Sequence, residues 1–455
     1  MKRGTFVMAV LCATSLVPGI ARSQPTLSER VEKELPAALD TYKAIHAAPE
    51  LSHYEEKTAA SVAKELKAAG CDVFTGIGKF TRPEWKGHGV AGVLTNGGGP
   101  VVLIRAELDA LPITEQTRLP YASKVQATTD RGAKTGVMHA CGHDLHLAAM
   151  IGTARLLAAQ KDRWRGTVVF VAQPAEETLD GVKAMLADGL FKKVPRPDYC
   201  LALHCIGDLA TGEVGITPGP ALASVQVLEV TVRGKGGHGS RPHEAKDPVV
   251  VAAQIILALQ TIVSRETSAV EPVGVTVGAI QGGTRASIIP EEVRMLVSVR
   301  ALDDRGRDRA VQAVERIAKG TALAAGVPEE LAPIIRRSED EKVSGTYNDP
   351  ALSERLSAVF ARELGADKVL RIKPRMAGDD FAHFGSVEGK AIPSLVYLLG
   401  TADPQKTEES RRTGIPLVSV HNPRFAPIPG IALRTGMRTM TSAVLDLLSA
   451  ERPGK

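Results

Sequence analysis

The apolar positions of this chain fall into two rhythms that trade places along its length. From Ser28 to Ala48 they recur at helical spacing, and His46-Ala47-Ala48-Pro49-Glu50 closes the run. Glu55 to Ala69 predicts a second helix, stopped by Gly70. Short, nearly continuous apolar runs then take over. Gly89 to Leu94 and Val101 to Ala106, joined through Asn96-Gly97-Gly98-Gly99-Pro100, predict two neighbouring buried strands. Leu147 to Ala159 returns to helical spacing. Gly166 to Ala172 predicts a core strand, Gly181 to Asp188 a short helix, and Tyr199 to Cys205 another strand. Strands alternating with helices imply a mainly parallel sheet covered on both faces. Sites in such sheets gather at the strand C-termini.

The rhythm changes after the linker Thr217-Pro218-Gly219-Pro220. Val225 to Arg233 alternates as a half-buried strand, Asp247 to Val263 is helical, and Val273 to Ile280 and Val293 to Ala301 are strands. A helix over Asp303 to Ala325 and a last strand over Leu331 to Arg336 complete the order βαββαβ, that of a ferredoxin-like unit. The first pattern resumes with a helix over Pro350 to Glu363, a strand over Ser394 to Leu399 and a helix after Gly430. The expected organisation is an α/β domain formed by 24–219 and 339–455, with an α+β domain inserted at 220–338.

Residues 1–23 stand apart. Lys2 and Arg3 precede a mostly apolar stretch, broken by Pro18 and Gly19, and Ala21-Arg22-Ser23 fits a small-residue cleavage site. This order predicts a secretory signal and export, to the periplasm if the source is bacterial, with no membrane span in the mature chain. Loss of Lys2, Arg3 and Arg22 lowers the formal charge from +5 to +2, which gives no argument for nucleic acid as a partner. Four cysteines remain after the signal. Cys200 and Cys205 lie five strand steps apart, roughly 16 Å and on opposite faces, which is too far for a disulfide.

The chemistry concentrates in Val137-Met138-His139-Ala140-Cys141-Gly142-His143-Asp144-Leu145-His146. The chain has 11 His and 5 Cys in 455 residues, so one thiol and three imidazoles here are not a composition effect. Cys and His bind borderline-soft divalent metals. Gly142 lets the backbone turn so that Cys141 and His143 aim at one point. A nucleophilic Cys141 paired with His143 is a competing reading, and an inert core cysteine the plain one. Glu176 and Glu177 follow a strand and Pro174. Adjacent side chains on an extended chain diverge, so a turn there lets one carboxylate bind metal while its neighbour handles protons. His204, in an otherwise apolar strand, and His421, on a turn before the last helix, are further candidates.

Five motifs, in order, carry a resemblance: Arg105-Ala106-Glu107-Leu108-Asp109-Ala110-Leu111-Pro112, Gly136 to Asp144, Gln173-Pro174-Ala175-Glu176-Glu177, Gly234-Lys235-Gly236-Gly237-His238 with Pro242-His243, and His421-Asn422-Pro423-Arg424-Phe425. The chain resembles the metal-dependent amidohydrolases of the aminoacylase–carboxypeptidase superfamily, in the branch of hippurate hydrolases and auxin-conjugate amidohydrolases. The resemblance implies a zinc-peptidase-like α/β catalytic domain and an inserted lid or dimerisation domain. It implies cleavage of N-acyl amino acids, dipeptides or related small amides by a metal-activated water, and a homodimer or higher homo-oligomer. By the same resemblance Cys141, His143, Glu177, His204 and His421 hold one or two divalent ions, zinc first, with manganese, cobalt or nickel as alternatives. Cys141 is shared, Glu176 is the general base, Asp109 orients the site and His238 polarises the carbonyl.

The chain departs from the resembled pattern at Glu107, where Asp is common, and at Gly378-Asp379-Asp380-Phe381, where Ser-Glu-Asp-Phe is usual. Ser287 stands where an Asn commonly contacts the substrate carboxylate, and no Pro follows His204. His139 and His146 are expected as supporting groups and His243 as part of the lid. His46, His53, His88 and His383 are expected at the surface or the pocket rim. A cysteine hydrolase and a non-catalytic exported binding protein are the rival classes.

Overall fold

The computed structural model of this chain describes residues 24–130, 132–387 and 389–449, with Met1 and Gly4; otherwise the expected signal falls outside the described residues. The strand Val101–Glu107 is central, and residues 102–107 are all buried. Burial on both faces is why it reads as a continuous apolar run. It pairs in parallel with Gly166–Gln173 on one side and Tyr199–Ala210 on the other, and Ser394–Ala402 runs parallel beyond the latter. Val214–Ile216 and Val369–Arg371 complete one edge of the eight-stranded sheet; Gly89–Asn96 and Asp72–Ile77 complete the other, both antiparallel.

One expectation is corrected. Gly89–Asn96 and Val101–Glu107 are not neighbours, because Gly166–Gln173 lies between them and pairs with both. Two sheet spacings amount to roughly 10 Å, within reach of the Gly97–Pro100 loop. The insertion buries a third apolar strand that a tight hairpin would have left at an edge.

The helices Leu27–His46, His143–Ala158 and Pro429–Leu447 share one core with the first face of the sheet. In His143–Ala158 every residue except Arg155 and Ala158 is buried, which accounts for its nearly unbroken apolar sequence. The other face packs against Gly181–Ala187 and against Phe381 and Phe384. Cys71, Cys141, Cys200 and Cys205 are all buried and free.

The inserted domain has its own core and an antiparallel sheet in the order Ile334–Val343, Ser224–Arg233, Glu292–Ala301, Val273–Gly282. This is the ferredoxin-like arrangement. Its last strand runs Ile334–Val343, further along than the expected 331–336; the charged Arg336 to Lys342 stretch is an edge strand, where charges blunt pairing with other chains. The helical run Pro248–Glu266 has a mean hydropathy of 1.6 and is long and apolar enough to cross a membrane. Val251, Ala252, Ile255 and Leu259 pack it into the inserted domain, and Val249, Val250 and Leu257 are exposed on it.

Candidate metal centre and hydrolytic site

Three parallel strands deliver the site. Val101–Glu107 leads to Asp109, Gly166–Gln173 leads to the loop bearing Glu176 and Glu177, and His204 stands two residues past the last pair, Arg105↔Ala202, between Val101–Glu107 and Tyr199–Ala210. Cys141 and His143 flank Gly142, whose φ of +84° opens the helix His143–Ala158. A Cβ on Gly142 would lie 2.9 Å from the Cys205 sulfur, so glycine answers both the backbone sign and the space.

These segments bring Cys141, His143, Glu177, His204 and His421 together. The Cys141 sulfur lies 3.5 Å from His204 Nε2 and 3.2 Å from His421 Nε2. His143 Nε2 lies 3.7 Å from Glu176 Oε2 and 4.0 Å from Glu177 Oε1, and His421 Nε2 is 3.4 Å from Glu177 Oε2. Donors bonded tetrahedrally to one ion at 2.0–2.3 Å stand about 3.3–3.8 Å apart, and the Cys141–His204 and Glu177–His421 separations fall in that range. Cys141 belongs to two triplets, one with His143 and His204 and one with Glu177 and His421. A shared thiol between two triplets suits two ions.

Each donor is aimed by what lies behind it. His143 Nδ1 donates to the Asp109 carbonyl at 2.8 Å, leaving Nε2 buried and without a hydrogen-bond partner among the described residues. Glu177 Oε1 is likewise buried and unpartnered. Asp109 accepts from the Glu177 N–H at 3.0 Å and from the Ser52 hydroxyl at 2.7 Å, and it lies 3.4 Å from His143 Nδ1. Burial alone would raise Asp109, but its hydrogen bonds from His143, Glu177 and Ser52 hold it below the usual carboxylate range. His421 adopts a φ of +63°, unusual for a histidine, and its N–H donates to the Ala140 carbonyl at 2.7 Å.

The charge balance favours a cation. Burial, and then the carboxylates of Glu177, Glu176 and Glu107, push the Cys141 thiol well above its ordinary value. A nucleophilic cysteine needs electropositive surroundings, and these side chains give the reverse. Glu176, 5% exposed, is likewise pushed well above the carboxylate range by burial and by Asp379 and Glu177, with Arg105 opposing. The donor set and its orphaned buried atoms fit a divalent metal site.

A cleft of about 440 Å³ opens onto this group, lined in part by Cys141, Glu176, Glu177, His204 and His421. Arg300, from the inserted domain, also lines it and was not singled out in the sequence. Its Nη1 donates to the Met376 carbonyl at 2.9 Å, and no ion-pair partner holds it among the described residues. His238 and Ser287 do not line the cleft. They lie together on the inserted domain, where His238 pairs with Ile288 and the Gly239 N–H donates to the Ser287 carbonyl, and both are exposed.

His46 corrects another expectation: it is 1% exposed, not a surface residue, whereas His53, 3% exposed, lines a cavity that Glu177 also lines. His46 joins Asp144 at 2.6 Å and Glu115 at 3.1 Å, and His53 joins Asp180 at 3.1 Å. His146 is tied at both nitrogens, to Glu107 at 2.6 Å and to the Cys205 N–H at 2.8 Å, which leaves it a supporting group.

A mainly parallel α/β sheet with a thiol, imidazole and carboxylate donor set at its strand ends, beside a cleft that the inserted domain also lines, defines a metal-dependent hydrolase of amide or peptide bonds. Residues 103–411 match the model of peptidase family M20/M25/M40, and the chain belongs to this family. It is similar to the hippurate hydrolase of Campylobacter jejuni, at 37% identity over 75% of this chain and 82% of the relative. It is also similar to an N-acetyl-L-cysteine deacetylase of Bacillus subtilis, at 35% identity over 80% of each chain. A Bacillus subtilis dinuclear metal-binding peptidase of the M20 family superposes with a TM-score of 0.70 at 28% identity, covering 92% of this chain and 99% of that one.

Proposed function

We propose that this chain hydrolyses the amide bond of N-acyl amino acids or small dipeptides, releasing a carboxylic acid and an amino acid. The observation that carries the reading is the convergence of buried His143 Nε2, Glu177 Oε1 and the Cys141 sulfur beside Glu176. The hippurate hydrolase and N-acetyl-L-cysteine deacetylase relatives support the substrate class.

Cys141, His143, Glu177, His204 and His421 hold one or two divalent ions, zinc being the first candidate. When bound, such an ion polarises the scissile carbonyl and makes water a usable nucleophile near neutral pH. Glu176, on the same loop as Glu177 but outside the ligand set, takes the water's proton and passes it to the leaving nitrogen. Asp109 fixes the ring of His143 and the backbone of Glu177. Arg300, a cation facing the cleft with no ion-pair partner among the described residues, receives the substrate carboxylate.

His238 and Ser287 act from the tip of the inserted domain after lid closure or from a second copy, His238 on the carbonyl oxygen and Ser287 at the substrate carboxylate. The exposed Val250 and Leu257 of the lid helix offer the apolar surface for a homodimer. The order of residues at the N-terminus supports export, to the periplasm in a bacterium. The experiment is a panel of N-acyl amino acids assayed with metal removed by chelation and then restored. Activity that vanishes and returns with metal is expected. Activity that survives chelation and is lost to thiol alkylation would instead identify Cys141 as a nucleophile.

A further inference from the structure

The loop bearing Glu176 and Glu177 is braced from behind by a segment that the proposed reaction has not used. Residues 52–55 reach this loop at three places. The Ser52 hydroxyl donates to Asp109, which itself accepts the Glu177 N–H. His53 Nε2 lies 3.1 Å from the Asp180 carboxylate. Glu55, fully buried, accepts the Ala175 N–H on Oε1 at 2.7 Å, while its Oε2 is buried and unpartnered among the described residues.

Ala175 is the position that needs bracing. Its φ is +52°, in the left-handed region that a residue with a Cβ seldom occupies, and it is itself fully buried. The turn is tight: the Ala175 carbonyl accepts the Gly181 N–H at 3.1 Å, and a Cβ on Gly181 would lie 1.7 Å from the Pro174 oxygen. In this turn the Ala175 N–H is taken by Glu55 and by no carbonyl of its own loop among the described residues. Without Glu55 it is a buried donor with no acceptor, which is among the costlier arrangements in a folded chain.

We infer that Glu55 is a positioning residue for Glu176: by holding the Ala175 N–H it fixes the left-handed turn from which Glu176 and Glu177 diverge toward their separate tasks. This rests on the reading of Glu176 as the proton carrier. The Glu177 N–H is held independently by Asp109. Loss of Glu55 therefore falls on proton transfer and spares metal retention. Burial, reinforced by the Asp109 carboxylate, pushes Glu55 well above the usual carboxylate range. A neutral carboxyl still accepts through its carbonyl oxygen, and a glutamine does the same in the same volume.

The test compares Glu55→Gln, Glu55→Leu and Glu55→Leu with Ala175→Gly in the full chain. Glu55→Gln is expected to keep kcat. Glu55→Leu should lose on the order of 10-fold in kcat or more, with KM and bound metal unchanged. Adding Ala175→Gly should restore part of the loss, because glycine occupies the left-handed region without a Cβ penalty. A readout independent of turnover is amide hydrogen exchange in metal-free protein: exchange at Ala175 is slow in wild type and Glu55→Gln, and faster in Glu55→Leu. Fast exchange at Ala175 in the wild type overturns the proposal even if Glu55→Leu fails to fold. Glu176→Gln, assayed beside these, separates the two readings. Loss there with wild-type kcat in folded Glu55→Leu overturns the brace alone, whereas full activity in Glu176→Gln overturns both.

Discussion

Glu176 and Glu177 are chemically identical neighbours that should fail in different ways. Glu177 belongs to two donor groups, one with Cys141 and His421 and one with His143 and Glu176. Replacing it by Gln leaves Cys141, His143 and His204 as a triplet for one ion and weakens the other position. Loss of a mere supporting partner lowers metal affinity about 10- to 100-fold, so loss of a ligand should cost at least that much. Glu177 carries its brace on its backbone N–H, which the substitution leaves in place, so the variant should fold. Glu176→Gln keeps the shape of the side chain and the bound metal, and removes only the proton acceptor. Such losses cost about 10²- to 10⁴-fold in kcat, or about 3–5 kcal/mol of barrier. The assay is metal content after dialysis, with kcat and KM measured across a series of added metal concentrations. Glu176→Gln should be fully loaded and slow at every concentration. Glu177→Gln should be metal-poor and partly rescued by excess metal. A metal-free Glu176→Gln beside a loaded, inactive Glu177→Gln would reverse the assignment; two loaded, active variants would refute the site.

Two further outcomes are expected. Arg300→Met should raise KM for an N-acyl amino acid roughly 10- to 100-fold, the worth of a charge-assisted hydrogen bond, and leave the primary amide of the same substrate little changed; equal effects on both would remove Arg300 as the carboxylate anchor. His46 is raised to about 10: burial disfavours its charge, but Asp144 and Glu115 outweigh it, with Tyr42, Tyr121 and His139 also packed nearby. Its contribution, on the order of a few kcal/mol, is complete below the unfolded value near 6.5 and is lost as pH rises toward 10. The stability gap between wild type and His46→Gln should therefore shrink from pH 6 to pH 10, and a gap that widens would refute the ion pair.

The strands that build the centre were legible because parallel, doubly buried strands leave unbroken apolar runs, and the Cys/His cluster because its residue types are rare. Strand order was not legible. Periodicity locates Gly166–Gln173 but says nothing about its neighbours, and a short Gly-rich loop between Gly89–Asn96 and Val101–Glu107 looks the same whether or not a strand intervenes. His46 was misplaced for a related reason. A polar residue at the end of an amphipathic helix reads as solvated, and the acids that bury His46 lie 69 and 98 residues away in sequence. Arg300 left no signal, since an arginine on an alternating strand is ordinary until the fold turns that face toward a cleft.

The two departures at Glu107 and Asp379 show how distance in sequence conceals a single physical fact. Arg105 is fully buried, and its guanidinium bonds to Glu107, to Asp379 at 2.7 Å and to Asp380 at 3.3 Å, while its Nε donates to Gln173. Beside the resembled pattern, the carboxylate at 107 is one methylene longer and that at 379 one methylene shorter. Both close on the same cation, and both reach its Nη1. A buried charge left without its partner is costly, so Arg105 depends on carboxylates from both segments. The longer Glu107 also holds His146, whose other nitrogen takes the Cys205 N–H and so ties down the strand that carries His204. Asp380, pushed up to about 7 by burial against the pull of Arg105, is partly protonated near neutrality, which eases the excess of carboxylates around one guanidinium. Arg105 likewise counters the burial of Glu176. The cation under the site thus bears on both the strand of a proposed ligand and the proton affinity of the proposed base.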